Sequence, residues 1–212
     1  FLTTMSGKDV IYVHGNHDDC YVETPPEGCI CADDRIVSCR GLRILGLGGS
    51  QRYKPGKFMY TEKEMKKRVS RLKHKMRRSR GFDILLTHAP ARGYGDMDDL
   101  PHQGFDCFCE LLDRVQPPYM IHGHMHQCYG KGYVKECTYG ETTVINGCGS
   151  YVLEIPDDLL LHDNIQLAEA AQIDIGSVLP LVCDQGNILP GLPVDKLLRP
   201  DNAPGRFIDV LR

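Results

Sequence analysis

No stretch of the 212-residue sequence comes near the roughly 18 consecutive apolar residues that a membrane-spanning helix requires; apolar runs are as short as Ile84-Leu85-Leu86 and Leu159-Leu160-Leu161. A soluble chain with no membrane partner is expected. A surplus of one charge is missing as well. The 25 Lys and Arg stand against 28 Asp and Glu, a formal charge of −3, so bulk attraction to nucleic acid or anionic lipid is excluded as an organising force. Cys-x-x-Cys does not occur among the ten cysteines, and the close pairs Cys29/Cys31 and Cys107/Cys109 have poor spacing for a zinc clamp. A chain of this length buries a core without covalent staples, which makes reduced thiols and a cytoplasmic setting the expectation. Nor is there a nucleotide loop. Gly46-Leu47-Gly48-Gly49-Ser50 lacks the Gly-Lys-Ser/Thr of a P-loop, and Gln51 stands where a dinucleotide fingerprint needs glycine. The opening residues Phe1-Leu2-Thr3-Thr4-Met5 carry neither a basic leader nor an initiator methionine and read as the start of a fragment.

What is present is a series of strand-like runs, each ending in polar or glycine-rich residues: Val10 to Val13, Leu42 to Leu47, Ile84 to Leu86 and Tyr119 to Ile121. Two helices separate them. Thr61-x-x-Glu64 is a capping box, followed at 4, 3, 4 spacing by Met65, Val69, Leu72 and Met76. The second helix covers about Phe105 to Val115 and is stopped by Pro117-Pro118. Thr142 to Asn146 and Tyr151 to Ile155, broken by Gly147-Cys148-Gly149, predict a hairpin or a bulged strand. After Pro156 the composition turns proline-rich. The division expected is a domain over 1–156 and a C-terminal appendage of unknown role over 157–212.

Chemistry gathers where the strands end. Gly15-Asn16-His17-Asp18 places an amide, an imidazole and a carboxylate on one tight turn after the first strand. Gly123-His124-Met125-His126 adds two imidazoles at i and i+2, on the same side of an extended backbone, and His88 follows the Ile84 run. Singly, each has a bland account as a turn residue or a packed imidazole. Jointly, an Asn carbonyl and neutral imidazoles after three separate strands suit a borderline divalent ion such as Mn, Fe, Co, Ni or Zn.

These residues resemble the calcineurin-like metallophosphoesterase family, whose signature includes Gly-Asn-His-Asp/Glu, a lone His after a later strand, and Gly-His-x-His. The resemblance runs from about Val10 to Ile155 and implies an α/β fold, a four-layer αββα sandwich, with two divalent metal ions at the carboxyl ends of its strands. By position, Asn16, His88 and His124 would ligate one metal and His126 the other. His17 would stabilise or protonate the leaving oxygen of a phosphomonoester or phosphodiester substrate, with Asp18 orienting its imidazole. Two metals about 3.5–4 Å apart would share an activated hydroxide. The family's Asp-x-His and Gly-Asp-x-x-Asp motifs have no counterpart in the residues before Gly15. The implied domain is incomplete at its N-terminus, and without a bridging carboxylate the chain alone is expected to be nearly inactive.

A rival signal is the basic helix. Residues 63–80 hold ten of the 25 Lys and Arg and only Glu64 as an acid. This segment would make the protein a binding module for nucleic acid or an anionic partner. A solvated helix face, acidic at its start and basic at its end, is the preferred account, since no aromatic residue is interleaved for base stacking.

Overall fold

A computed structural model describes residues 9–126, 133–156, 159, 179–183 and 206–211. Its strands are β1 (Val10–Val13), β2 (Cys29–Cys31), β3 (Arg35–Cys39), β4 (Leu42–Leu47), β5 (Ser50–Gln51), β6 (Met59–Tyr60), β7 (Ile84–Thr87), β8 (Tyr119–His122), β9 (Glu136–Tyr139), β10 (Thr142–Asn146), β11 (Ser150–Ile155), β12 (Leu179–Cys183) and β13 (Arg206–Leu211). The helices are α1 (Glu62–Arg78) and α2 (Asp106–Val115). Six strands form one sheet in the order β3-β4-β7-β8-β10-β9, and five form another in the order β11-β13-β12-β1-β2.

The interior strands β4, β7, β8 and β10 are mutually parallel, with β3 and β9 antiparallel at the edges. A parallel strand is covered on both faces, so its residues read as a continuous apolar run, and the pleat deals alternate side chains to two cores. Ile44, Ile84, Leu86, Ile121 and Ile145 join Ile11 and Val13 of the other sheet in the core between the sheets. Leu45, Leu85, Met120 and Val144 face α1 and α2 instead. The layers described are therefore helix, sheet, sheet. Among the described residues no α-helix covers the far face of the five-stranded sheet, so the fourth of the four expected layers is not described.

One expectation about the later chain is corrected. Gly147-Cys148-Gly149 makes no hairpin: β10 pairs with β8 and β9 in one sheet, while β11 pairs with β13 in the other, so the glycines carry a crossover between sheets. Residues 157–212 include two described strands, β12 beside β1 and β13 beside β11. Eight cysteines, those at 20, 29, 31, 39, 107, 109, 137 and 148, are free thiols, and no described helix is long and apolar enough to cross a membrane.

The capping box on α1 is formed: the Glu64 N–H donates to Thr61 Oγ1 at 3.3 Å and the Thr61 N–H donates to Glu64 Oε2 at 2.8 Å. Helix α2 begins at Phe105, which has no capping side chain. Its free N–H groups are met from the neighbouring helix, where Glu62 accepts from Asp106 N at 3.1 Å and Cys107 N at 2.7 Å. This carboxylate also complements the positive end of the α2 dipole. Glu62→Ala is expected to lower stability by about 1 kcal/mol, with Glu62→Gln retaining part of it; urea denaturation of the three proteins checks the order.

Candidate metal centre

The carboxyl ends of β1, β7 and β8 meet at one edge of the sandwich, and each delivers one donor. After β1 the chain turns at Gly15-Asn16-His17-Asp18. The Asp18 carboxylate, buried beneath this turn, accepts the Gly15 N–H at 2.6 Å, and the Asp18 N–H returns to Gly15 O at 3.3 Å. The closed turn presents Asn16 inward and leaves His17 exposed. His88, one residue beyond β7, accepts the Gly123 N–H on its backbone oxygen at 3.0 Å and so ties the ends of β7 and β8 together.

Asn16, His88 and His124 are buried, and their donor atoms converge. His88 Nε2 lies 2.8 Å from Asn16 Oδ1 and 2.9 Å from His124 Nδ1. Ligands held at right angles about 2.0–2.1 Å from one ion stand about 2.9 Å apart, so these spacings match two edges of a coordination shell. The amide is oriented from its other end, where Nδ2 is 3.2 Å from His17 Nε2 and 3.4 Å from the Tyr53 hydroxyl. His124 is also oriented. Its Nε2 donates to the Pro101 carbonyl at 2.7 Å, which leaves the Nδ1 lone pair facing the cluster. Burial, then the neighbouring His88, drives the His124 imidazole well below the usual histidine range, so the ring is neutral and able to ligate. His122, the last residue of β8, is pushed by burial down to about 4, and its Nδ1 donates to Gly123 O at 3.0 Å.

The same-side argument for His124 and His126 does not hold. His124 lies beyond the end of β8 with φ +65, a left-handed conformation costing a non-glycine residue about 1–3 kcal/mol, of the kind that clusters at functional sites. Tertiary anchoring at Pro101 and the 4.7 Å ring contact with His88 hold it there. His126 is half-buried and close enough for its charge to act on His124. Among the described residues no group of three His, Cys, Asp or Glu side chains is arranged to hold a metal. The converging set is two imidazoles and an amide, and no described carboxylate joins it. Its donors fit one borderline divalent ion.

Sequence reading misses Tyr53, Pro101 and His102, whose ring lies 5.4 Å from that of His124; no local pattern marks them. It also misses a buried ionic network beside the site. Asp33 receives His14 Nδ1 at 3.0 Å, Arg68 at 2.6 Å and the Gly48 N–H at 2.7 Å, while Arg68 also donates to Gly48 O at 2.7 Å. Gly48 must be glycine, since a Cβ would stand 2.4 Å from His14 O. Burial pulls His14 down, but its hydrogen bonds with Asp33 and Cys31 outweigh this and lift the ring to about 9. Burial pushes Asp33 up, yet His14 and Arg68 hold its carboxyl below the ordinary value. Here a signal exists: Arg68 sits three residues after Met65 and one before Val69, inside the apolar stripe.

Comparison with known proteins adds the lineage. The family profile described as calcineurin-like phosphoesterase matches residues 2–128. Two Caenorhabditis elegans proteins are similar: UPF0046 protein C25E10.12, 33% identical over 125 residues, which is 56% of this chain and 40% of that protein, and UPF0046 protein T07D4.2, 44% identical over 73 residues, which is 32% of this chain and 16% of that protein. The chain thus matches less than half the length of either. The crystal structure of TT1561 of Thermus thermophilus is similar at a TM-score of 0.45 and 18% identity, over 67% of this chain and 65% of that one.

Proposed function

The chain belongs to the calcineurin-like phosphoesterase family, and from that premise we propose that it serves metal-dependent hydrolysis of a phosphoester at the Asn16, His88 and His124 centre. The observation that carries this reading is the convergence of three oriented donor atoms at 2.8 and 2.9 Å on the ends of three strands. Divalent ions bound there would acidify water and withdraw charge from the phosphoryl oxygens, with no protein nucleophile required.

The side chains divide the remaining work. Asn16, His88 and His124 would hold one ion, of the Mn, Fe, Zn or Ni type, and His126 would serve a second. His17, exposed to solvent and within 3.2 Å of the Asn16 amide, would donate a proton to the departing oxygen. Asp18 acts through the backbone, holding the turn that presents both residues. Pro101 fixes the His124 tautomer.

Two measurements test this. Calorimetric titration of the 212-residue chain with Mn²⁺ is expected to show a single site; two tightly held ions, or none, would overturn the assignment. In a full-length version that supplies the missing metal motifs, His17→Ala is expected to slow hydrolysis of an alkyl phosphoester by roughly 100-fold while sparing a 4-nitrophenyl ester, whose leaving group needs no proton. Equal losses on both esters would remove His17 from the role of acid.

A further inference from the structure

A cavity of about 380 Å³ opens between the Arg52–Tyr60 segment and α1, with Asp34 also on its wall. This is within the size range of small-molecule sites, about 300–1,000 Å³. Its acids are already engaged: Glu64 pairs with Arg52 at 2.8 Å, and Asp34 pairs with Arg68 at 3.0 Å. Its other cations, Lys57, Lys67 and Arg71, take part in none of the described ion pairs and are all exposed to solvent. Lys67 and Arg71 are one turn apart on α1, where like charges repel, and Lys57 approaches from a different element. A helix that merely wears a solvated basic face has no need of a third cation from a facing loop or of a concavity between them.

We propose that this cavity is a binding site for a small polyphosphate-type anion, held by Lys57, Lys67 and Arg71 without a metal. Several phosphoryl groups suit the spread of the cations across two elements, and a guanidinium can take phosphate oxygens in pairs while each lysine acts as a point charge. Binding relieves the mutual repulsion that the empty arrangement carries. The proposal does not rest on the hydrolytic reading, although Arg52 lines the cavity and its neighbour Tyr53 reaches the Asn16 amide.

The test is calorimetric titration of the full chain with inorganic triphosphate in EDTA at 0.15 M salt, so that failure of the metal centre has no bearing on the outcome. Saturable one-to-one binding is expected, weakened about tenfold or more in Lys67→Glu/Arg71→Glu and also weakened in Lys57→Glu. The control is Lys73→Glu/Arg77→Glu, the same charge change at the same helical spacing away from the cavity, which should bind within about twofold of the parent. A nucleoside triphosphate forms a second arm: equal affinity supports recognition of the phosphates alone, and tighter affinity supports recognition of the base as well. Absence of saturable binding overturns the proposal. So does equal weakening by the control pair, because it means diffuse attraction to the whole helix face, as an oligonucleotide would use. Thermal unfolding of each variant confirms that a loss is not one of folding.

Discussion

His88→Ala is expected to abolish measurable divalent-metal binding at the centre, with a loss of roughly 100-fold or more in affinity. The reason is geometric. His88 Nε2 neighbours both of the other proposed donors, at 2.8 Å from Asn16 Oδ1 and 2.9 Å from His124 Nδ1. Losing it leaves an amide and one imidazole, and even outer partners of metal ligands are worth 10–100-fold in affinity. The readout that separates lost ligation from lost folding is the thermal midpoint with and without metal. Ligand at 100 times its dissociation constant adds about 2.7 kcal/mol, which for a chain of this size raises the midpoint by roughly 5–10 °C. The parent should show that rise with Mn²⁺, His88→Ala should not, and their midpoints in EDTA should remain close. His74→Ala, on the exposed face of α1, should behave as the parent does. A full metal-induced rise in His88→Ala would place the ion elsewhere.

How far the sequence discloses this site depends on which physical signal each residue leaves. The strands and their polar ends are legible because burial on both faces removes alternation from runs such as Ile84-Leu85-Leu86, and because donors placed immediately after them have few packing explanations. The α1 capping box is legible because it is wholly local. The left-handed turn at His124 is not, since the contacts that hold it come from His88 and from Pro101, 23 residues away. Glycines at 147 and 149 announce that the chain bends but not which sheet receives it. Strand β12 contains Pro180, which argues against a strand with partners on both sides, and its pairing with β1 and β13 is a non-local fact. By composition Arg68 belongs with the solvated cations of its helix, although its place in the apolar stripe marks it as buried.

That arginine leads to the second large effect. Asp33→Ala is expected to destabilise the fold by about 3–5 kcal/mol, the cost of leaving a buried charge without its partner. Arg68 and Asp33 have side chains only 6% and 10% exposed, so little water is at hand to replace the lost carboxylate. Asp34 is 54% exposed and its bond to Arg68 is a weak substitute. The double variant Asp33→Ala/Arg68→Met should recover much of the loss, because it removes the stranded charge as well as its partner. Acid has the same target. Burial raises the Asp33 carboxyl, but His14 and then Arg68 outweigh it and hold the group below its ordinary value of 3.8. Its contribution is therefore complete above that value and is lost as pH falls through the lower folded value, so parent and Asp33→Asn should converge in stability under strong acid. The damage should also reach the metal centre. Asp33 holds His14, whose carbonyl accepts the Gly49 N–H at 2.7 Å, and His14 stands two residues before Asn16. Urea denaturation at pH 7 and below pH 4, with Mn²⁺ titration of each variant, measures both effects; a cost under about 1 kcal/mol for Asp33→Ala would mean that the pair is solvated and the Asn16 turn is held by other contacts.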